Sequence, residues 1–78
     1  NGNTNFVFQL NNSSEIKLSI YDLNGKLIKV ISNYMARGLN ELKWNGTNEM
    51  DQEISSGVYL YILDADGKTS SNKLIFLK

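Results

Sequence analysis

Glu15-Ile16-Lys17-Leu18-Ser19-Ile20 alternates strictly between polar and apolar residues, and Tyr21-Asp22-Leu23-Asn24-Gly25 follows it directly. Alternation at period two places Ile16, Leu18 and Ile20 on one face of an extended strand and Glu15, Lys17 and Ser19 on the other. Asp22 and Asn24 can bond their own backbone and Gly25 tolerates a positive φ, so the chain reverses here. Two registers are open to the returning strand. A two-residue Asn24-Gly25 loop sets Ile20 opposite Lys29, which mixes a charge into the buried row. A three-residue loop, with a type I turn and Gly25 left-handed, sets Ile20 opposite Ile28 and Leu18 opposite Val30. The second keeps one face apolar and is the register expected.

Outward from this hairpin the chain reads as strands and turns. Asn5 to Leu10 puts Phe6, Phe8 and Leu10 on one face, and Asn11-Asn12-Ser13-Ser14 is a turn cluster. Ser32 to Gly38 reads as a loop, with Tyr34 and Met35 plugging one end of the core. Gly38 to Trp44 is a strand with Leu42 and Trp44 inward, and the polar run Asn45 to Gly57 crosses between sheets. Asp64-Ala65-Asp66-Gly67-Lys68 repeats the Asp-x-Asx-Gly-Lys pattern and closes a second hairpin. Its register stays open, because Leu74-Ile75-Phe76-Leu77 is apolar on both faces. No segment has helical periodicity and there is no proline. Short strands at roughly ten-residue spacing, with turns between them, predict an all-β fold: a β-sandwich of six or seven antiparallel strands.

At 78 residues, 41% of them hydrophobic, this is one domain spanning 1–78 with a single thin core. A chain so short buries only ~60% of the surface its unfolded form exposes. Formal net charge is zero, so no electrostatic footprint for nucleic acid is visible. Cysteine and histidine are absent. That removes disulfide stapling, a conventional zinc or haem site, and any Cys/His or Ser/His nucleophile pair. No segment is long and apolar enough to span a membrane, and the start is too polar for a signal peptide. If the parent protein is exported, its leader lies upstream.

Several clusters invite sharper readings. Trp44, Tyr59 and Tyr61 could form a flat platform for sugars, but aromatic side chains are routine core material in sandwiches, and that is the expectation. Asn45, Thr47, Asn48, Glu49, Asp51 and Glu53 could gather oxygens around calcium. Their spacing does not match the twelve-residue calcium loop, and a solvated crossing loop is expected instead. Asp64 and Asp66 are explained by turn chemistry. Glycoside hydrolysis needs opposed carboxylates in a cleft that so thin a core rarely provides. No catalytic residue, cofactor or metal is therefore assigned.

Four stretches in fixed order carry a family likeness: Tyr21-Asp22-Leu23-Asn24-Gly25, Gly38 through Trp44-Asn45-Gly46, Ser56-Gly57-Val58-Tyr59-Leu60-Tyr61, and Lys73-Leu74-Ile75-Phe76-Leu77-Lys78. In this order they resemble the carboxy-terminal sorting module of the type IX secretion system of Bacteroidota. They are similar also to the immunoglobulin-like domain of the flagellar hook-capping protein. The likeness runs from about Phe6 to Lys78. Two features depart from the pattern: the Asn-Pro frequent at the module's start is missing, and so is a Gly between Gly46 and Gly57.

The resemblance implies an immunoglobulin-like β-sandwich that follows an upstream cargo domain. It implies partners too, an outer-membrane secretion translocon and a surface sortase-like peptidase, reached via the periplasm, with a secreted or cell-surface destination. Lys73, Leu74, Ile75, Phe76, Leu77 and Lys78 would form the recognition strand, an edge addressable by strand addition with its lysines limiting self-aggregation. Asp22, Gly25, Trp44, Gly46, Gly57, Tyr59, Tyr61 and Gly67 would be structural, Gly57 serving backbone geometry. The rival expectations are a carbohydrate-binding or structural accessory module of a secreted enzyme, and a hook-cap-like assembly domain. Cargo identity, cleavage and oligomeric state are not legible from the residues.

Overall fold

Side-chain alternation produces six strands, and a computed structural model describes residues 3–78. They are β1 (Thr4–Leu10), β2 (Ser14–Tyr21), β3 (Leu27–Met35), β4 (Gly38–Trp44), β5 (Gly57–Ala65) and β6 (Lys68–Phe76). The expected domain span 1–78 includes Asn1 and Gly2, which lie outside the described residues. β1 pairs with β4 in a two-stranded sheet, and the other sheet has the order β3-β2-β5-β6. Every pairing is antiparallel. The result is a β-sandwich, and the Asn45–Ser56 segment crosses between its layers as expected.

The rows read from alternation form the core between the sheets. Ile16, Leu18 and Ile20 of β2 are fully buried, and Phe6, Leu10, Leu42, Trp44, Tyr59, Leu74 and Phe76 pack around them. Removing this much apolar surface from water is the main stabilising term for a domain without disulfides. Trp44 sits at the centre. Its ring centroid lies 5.3 Å from that of Phe76 and 6.5 Å from that of Tyr59. Phe6 meets Tyr61 edge-on at 5.0 Å.

The first hairpin corrects the expected register. The turn itself is the three-residue type: Asp22 N–H donates to the Lys26 carbonyl, Gly25 N–H donates to the Asp22 carbonyl, and Gly25 has φ +85°. Asp22 Oδ1 also accepts from the N–H groups of Asn24 and Lys26, each at 2.9 Å. Tyr21 faces Leu27, and a β-bulge then shifts the ladder by one residue. Ile20 therefore faces Lys29, not Ile28, and Leu18 faces Ile31, not Val30. A charge in the inner row is tolerable because β3 is an edge strand. The Lys29 ammonium reaches out of the row to the Asn48 carbonyl at 3.2 Å and the Asp51 carboxylate at 3.5 Å.

The second hairpin has a tighter turn despite its similar sequence. Ala65 faces Lys68, leaving a two-residue Asp66-Gly67 loop. Both residues have positive φ, 53° and 75°, the geometry of a type I′ turn whose twist matches the strands. Ser32 to Gly38 is not a loop, which is a second correction. β3 continues to Met35 and β4 starts at Gly38. Of the two residues expected to plug the core, Met35 packs against it and Tyr34 is 73% exposed.

Candidate functional site

β6 lies at one edge of the four-stranded sheet, paired on one side only. Its two-residue turn fixes which backbone groups point outward. In such a hairpin the closing pair, Ala65 and Lys68, exchanges hydrogen bonds, and the pattern then alternates. Ser70, Asn72, Leu74 and Phe76 thus bond back to β5, while Thr69, Ser71, Lys73 and Ile75 turn their N–H and C=O groups away from the sheet. The Lys73 N–H fits this assignment: it donates to Asn72 Oδ1 at 2.8 Å, a bond its own strand supplies.

The side chains of β6 divide by face and by position along the strand. Leu74 and Phe76 point inward and are buried, with Phe76 against Trp44. Ile75 and Leu77 are 69% and 71% exposed. The apolar run is thus two-faced as read, one face in the core and the other in solvent. Its bounds differ from the expected recognition strand: pairing starts at Lys68 and ends at Phe76, so Leu77 and Lys78 lie beyond the strand. Even so, Lys78 is held. Its N–H donates to Ser56 Oγ at 3.0 Å and its ammonium pairs with Glu53 at 3.3 Å.

On the outer face of the sheet, Lys73 stands beside Leu60, which in turn faces Tyr21. Tyr21, Leu60, Ile62, Ser71 and Lys73 line a shallow groove of about 360 Å³ there. Ser19 is nearly buried on the same face, between Val30 and Ile62. This apolar strip runs alongside the open edge.

Two of the aromatic residues singled out in the sequence, Trp44 and Tyr59, are buried and hydrogen-bonded within the sandwich. Trp44 is 1% exposed, and its Nε1–H donates to the Thr47 carbonyl at 2.9 Å, so it offers no surface for stacking a sugar. Tyr59 is buried, and its hydroxyl donates to the Ser55 carbonyl at 2.7 Å. Gly46 is buried with φ +76°, and its carbonyl accepts from Ile54 N–H. Gly57 is corrected: its φ is not positive and a Cβ there would meet no atom within 4 Å, so no geometric demand for glycine exists.

The polar crossing loop sends its side chains to separate partners. Asn48 Oδ1 accepts from the N–H groups of Met50 and Gln52, closing a turn in which Asp51 has φ +61°. Thr47 Oγ1 donates to Asn45 Oδ1, and Glu49 Oε2 accepts from the Val30 N–H at 2.6 Å. Asp51 pairs with Lys29 and Glu53 with Lys78. Among the described residues no three His, Cys, Asp or Glu side chains converge. No helix of the structure is long and apolar enough to cross a membrane.

Sequence reasoning missed Asn72, which bonds within the edge strand, and the part Glu53 and Ser56 play in holding the tail. It also missed the Lys68–Asn72 half of the strand. The Asp66-Gly67 dipeptide was the available signal for both strand start and outward-facing groups.

Solved structures of FlgD proteins share this architecture. FlgD from P. aeruginosa superposes with a TM-score of 0.73 at 23% identity, covering 96% of this chain and 60% of that one. FlgD from Xanthomonas campestris, described in connection with hook capping, gives 0.74 at 22% identity over 96% and 56%. Truncated FlgD from Helicobacter pylori gives 0.67 at 18% identity over 97% and 61%. The chain therefore spans little more than half the length of these proteins, and the likeness is one of fold. No curated protein matches the sequence. The profile of the CHU_C type IX secretion signal domain matches residues 1–77, and by that match the chain belongs to the type IX secretion signal domain family.

Proposed function

We propose that this module is a non-enzymatic carboxy-terminal sorting element that directs an upstream cargo through the outer-membrane translocon of the type IX system. The observation that carries this reading is the family match over residues 1–77. The cargo crosses the periplasm and reaches the cell surface or the medium, where a surface peptidase is the partner that processes it. The translocon reads the edge of β6, whose outward backbone groups and exposed Ile75 and Leu77 suit strand addition. Lys73 and Lys78 flank that surface.

The test is a fluorescent cargo fused ahead of the module in a type IX-competent bacterium, with periplasm and medium assayed separately. Deleting Lys73 to Lys78 would remove Leu74 and Phe76 from the core, so surface substitutions are the cleaner probe. Ile75→Asp with Leu77→Asp changes only exposed side chains, and circular dichroism verifies the fold. Cargo of this variant is expected to accumulate in the periplasm. Secretion at the wild-type level by a folded double variant would refute the edge as the recognised surface.

A further inference from the structure

We propose that the open edge of β6 takes up an extended polypeptide segment of acidic character, with one carboxylate opposite Lys73 and a second opposite Lys68. This assignment, which rests on the sorting role proposed above, adds the chemistry of the partner.

Charge complementarity selects that occupant. From Gly67 to Lys78 the chain carries Lys68, Lys73 and Lys78 and no acid. Lys78 is held by Glu53, whereas among the described residues neither Lys68 nor Lys73 has an ion-pair partner. The acids beside this edge are Asp64 of β5, which accepts from Thr69 Oγ1 at 2.7 Å, and Asp66 of the turn, which lines the same hollow as Lys68. The edge thus presents outward amides together with lysines that, among the described residues, form no ion pair. A second copy of this chain is the wrong occupant, since pairing β6 with β6 would bring lysines together along a joint lacking acids.

The register gives the partner a pattern. Lys73 lies on the outer face with Leu60, and Lys68 lies on the inner face with Ala65. Side chains of an added strand alternate likewise. Two acids five positions apart in the incoming segment therefore fall on opposite faces, each beside its lysine. Two positions from the first acid, on the same outer face, an apolar residue would cover the exposed Ile75. Docking displaces the Asn72 amide from the Lys73 N–H.

Two labelled synthetic peptides test this against the 78-residue chain. One carries acids at these two positions and an apolar residue opposite Ile75 in a Thr/Ser background; the other carries lysines in place of the acids. Fluorescence anisotropy is expected to show the acidic peptide binding about tenfold more tightly, the scale of two exposed ion pairs set against two repulsions. Amide exchange is expected to slow at Thr69, Ser71 and Ile75. Lys73→Glu is expected to weaken the acidic peptide about threefold with the circular dichroism spectrum unchanged. Equal affinity for both peptides, binding of neither, protection on β1 or β4, or dimerisation through β6 would each overturn the assignment. In cells, normal export of a Lys73→Glu fusion beside retention of the Ile75→Asp, Leu77→Asp fusion would sink the acidic partner and leave the sorting role standing. Normal export of both would sink the edge reading itself.

Discussion

β3 and β6 are the two outer strands of one sheet, each nine residues long and each the second arm of a hairpin, yet the rest of the chain treats them oppositely. β3 is covered. Glu49 caps the Val30 N–H, Lys29 is bound to Asn48 and Asp51, and the Asn45–Ser56 loop lies along the strand. β6 is left open: among the described residues, the one outward amide with a partner, that of Lys73, is served by Asn72 from the same strand. The covered strand is the stickier one, with Ile28, Val30 and Ile31 in succession around Lys29, whereas β6 begins Lys68-Thr69-Ser70-Ser71-Asn72. An exposed apolar edge invites uncontrolled pairing, and a polar, lysine-bearing edge does so far less. The molecule thus closes the dangerous edge and leaves accessible the one whose pairing can be selective.

Trp44 links both edges, so its loss should be the most damaging way to break this contrast. Its ring supports Phe76 of β6 and its Nε1–H anchors the loop that guards β3. Trp44→Ala is expected to cost about 3–5 kcal/mol, measured by urea denaturation, which leaves a domain of this size largely unfolded. Next in size is Gly67→Val, which forces a β-branched residue to φ +75° and loosens the turn that sets the phase of β6. A loss of about 1–2 kcal/mol is expected, while Gly57→Ala should stay within about 0.5 kcal/mol.

Smaller changes sharpen the comparison. Glu49→Ala uncaps β3, and its exposed hydrogen bond is worth about 0.5–1 kcal/mol after solvent screening. The Val30 amide should exchange several-fold faster in this variant, with β6 amides unchanged. Asn72→Ala frees the Lys73 N–H and should leave global stability within about 0.5 kcal/mol. Faster exchange confined to the Lys73 amide is the expected signature. If either variant altered exchange at both edges alike, the two would not be independently controlled.

Residues with local determinants were legible in sequence. Ile16, Leu18 and Ile20 alternate and are fully buried, and the Asp22–Gly25 turn has the three-residue form its composition indicates. The register beyond that turn was not legible, because the bulge is made tolerable by Asn48 and Asp51, far along the chain. Ser32-Asn33-Tyr34 looks like a loop because an edge strand with one solvated flank needs no apolar alternation. The two Asp-x-Asx-Gly-Lys segments form different turns: Asp22 Oδ1 clamps a three-residue loop, whereas Asp64 is engaged by Thr69 and leaves a two-residue one. At the candidate site, the lysines and the two-faced apolar run were readable. Which backbone groups face outward depended on the phase of that second turn.

The pairing of Leu10 with Gly38 has a kinetic consequence. β1 and β4 bracket the whole β2–β3 hairpin, so their closure waits for that hairpin, whose end pair Ser14 and Met35 brings them together. Each hairpin can zip within about 1–10 μs, whereas topologies dominated by such remote pairings mature in milliseconds to seconds. β2 and β5 are joined across a longer stretch still, Tyr21 facing Leu60, so refolding should proceed from the two hairpins to the remote pairings β1–β4 and β2–β5.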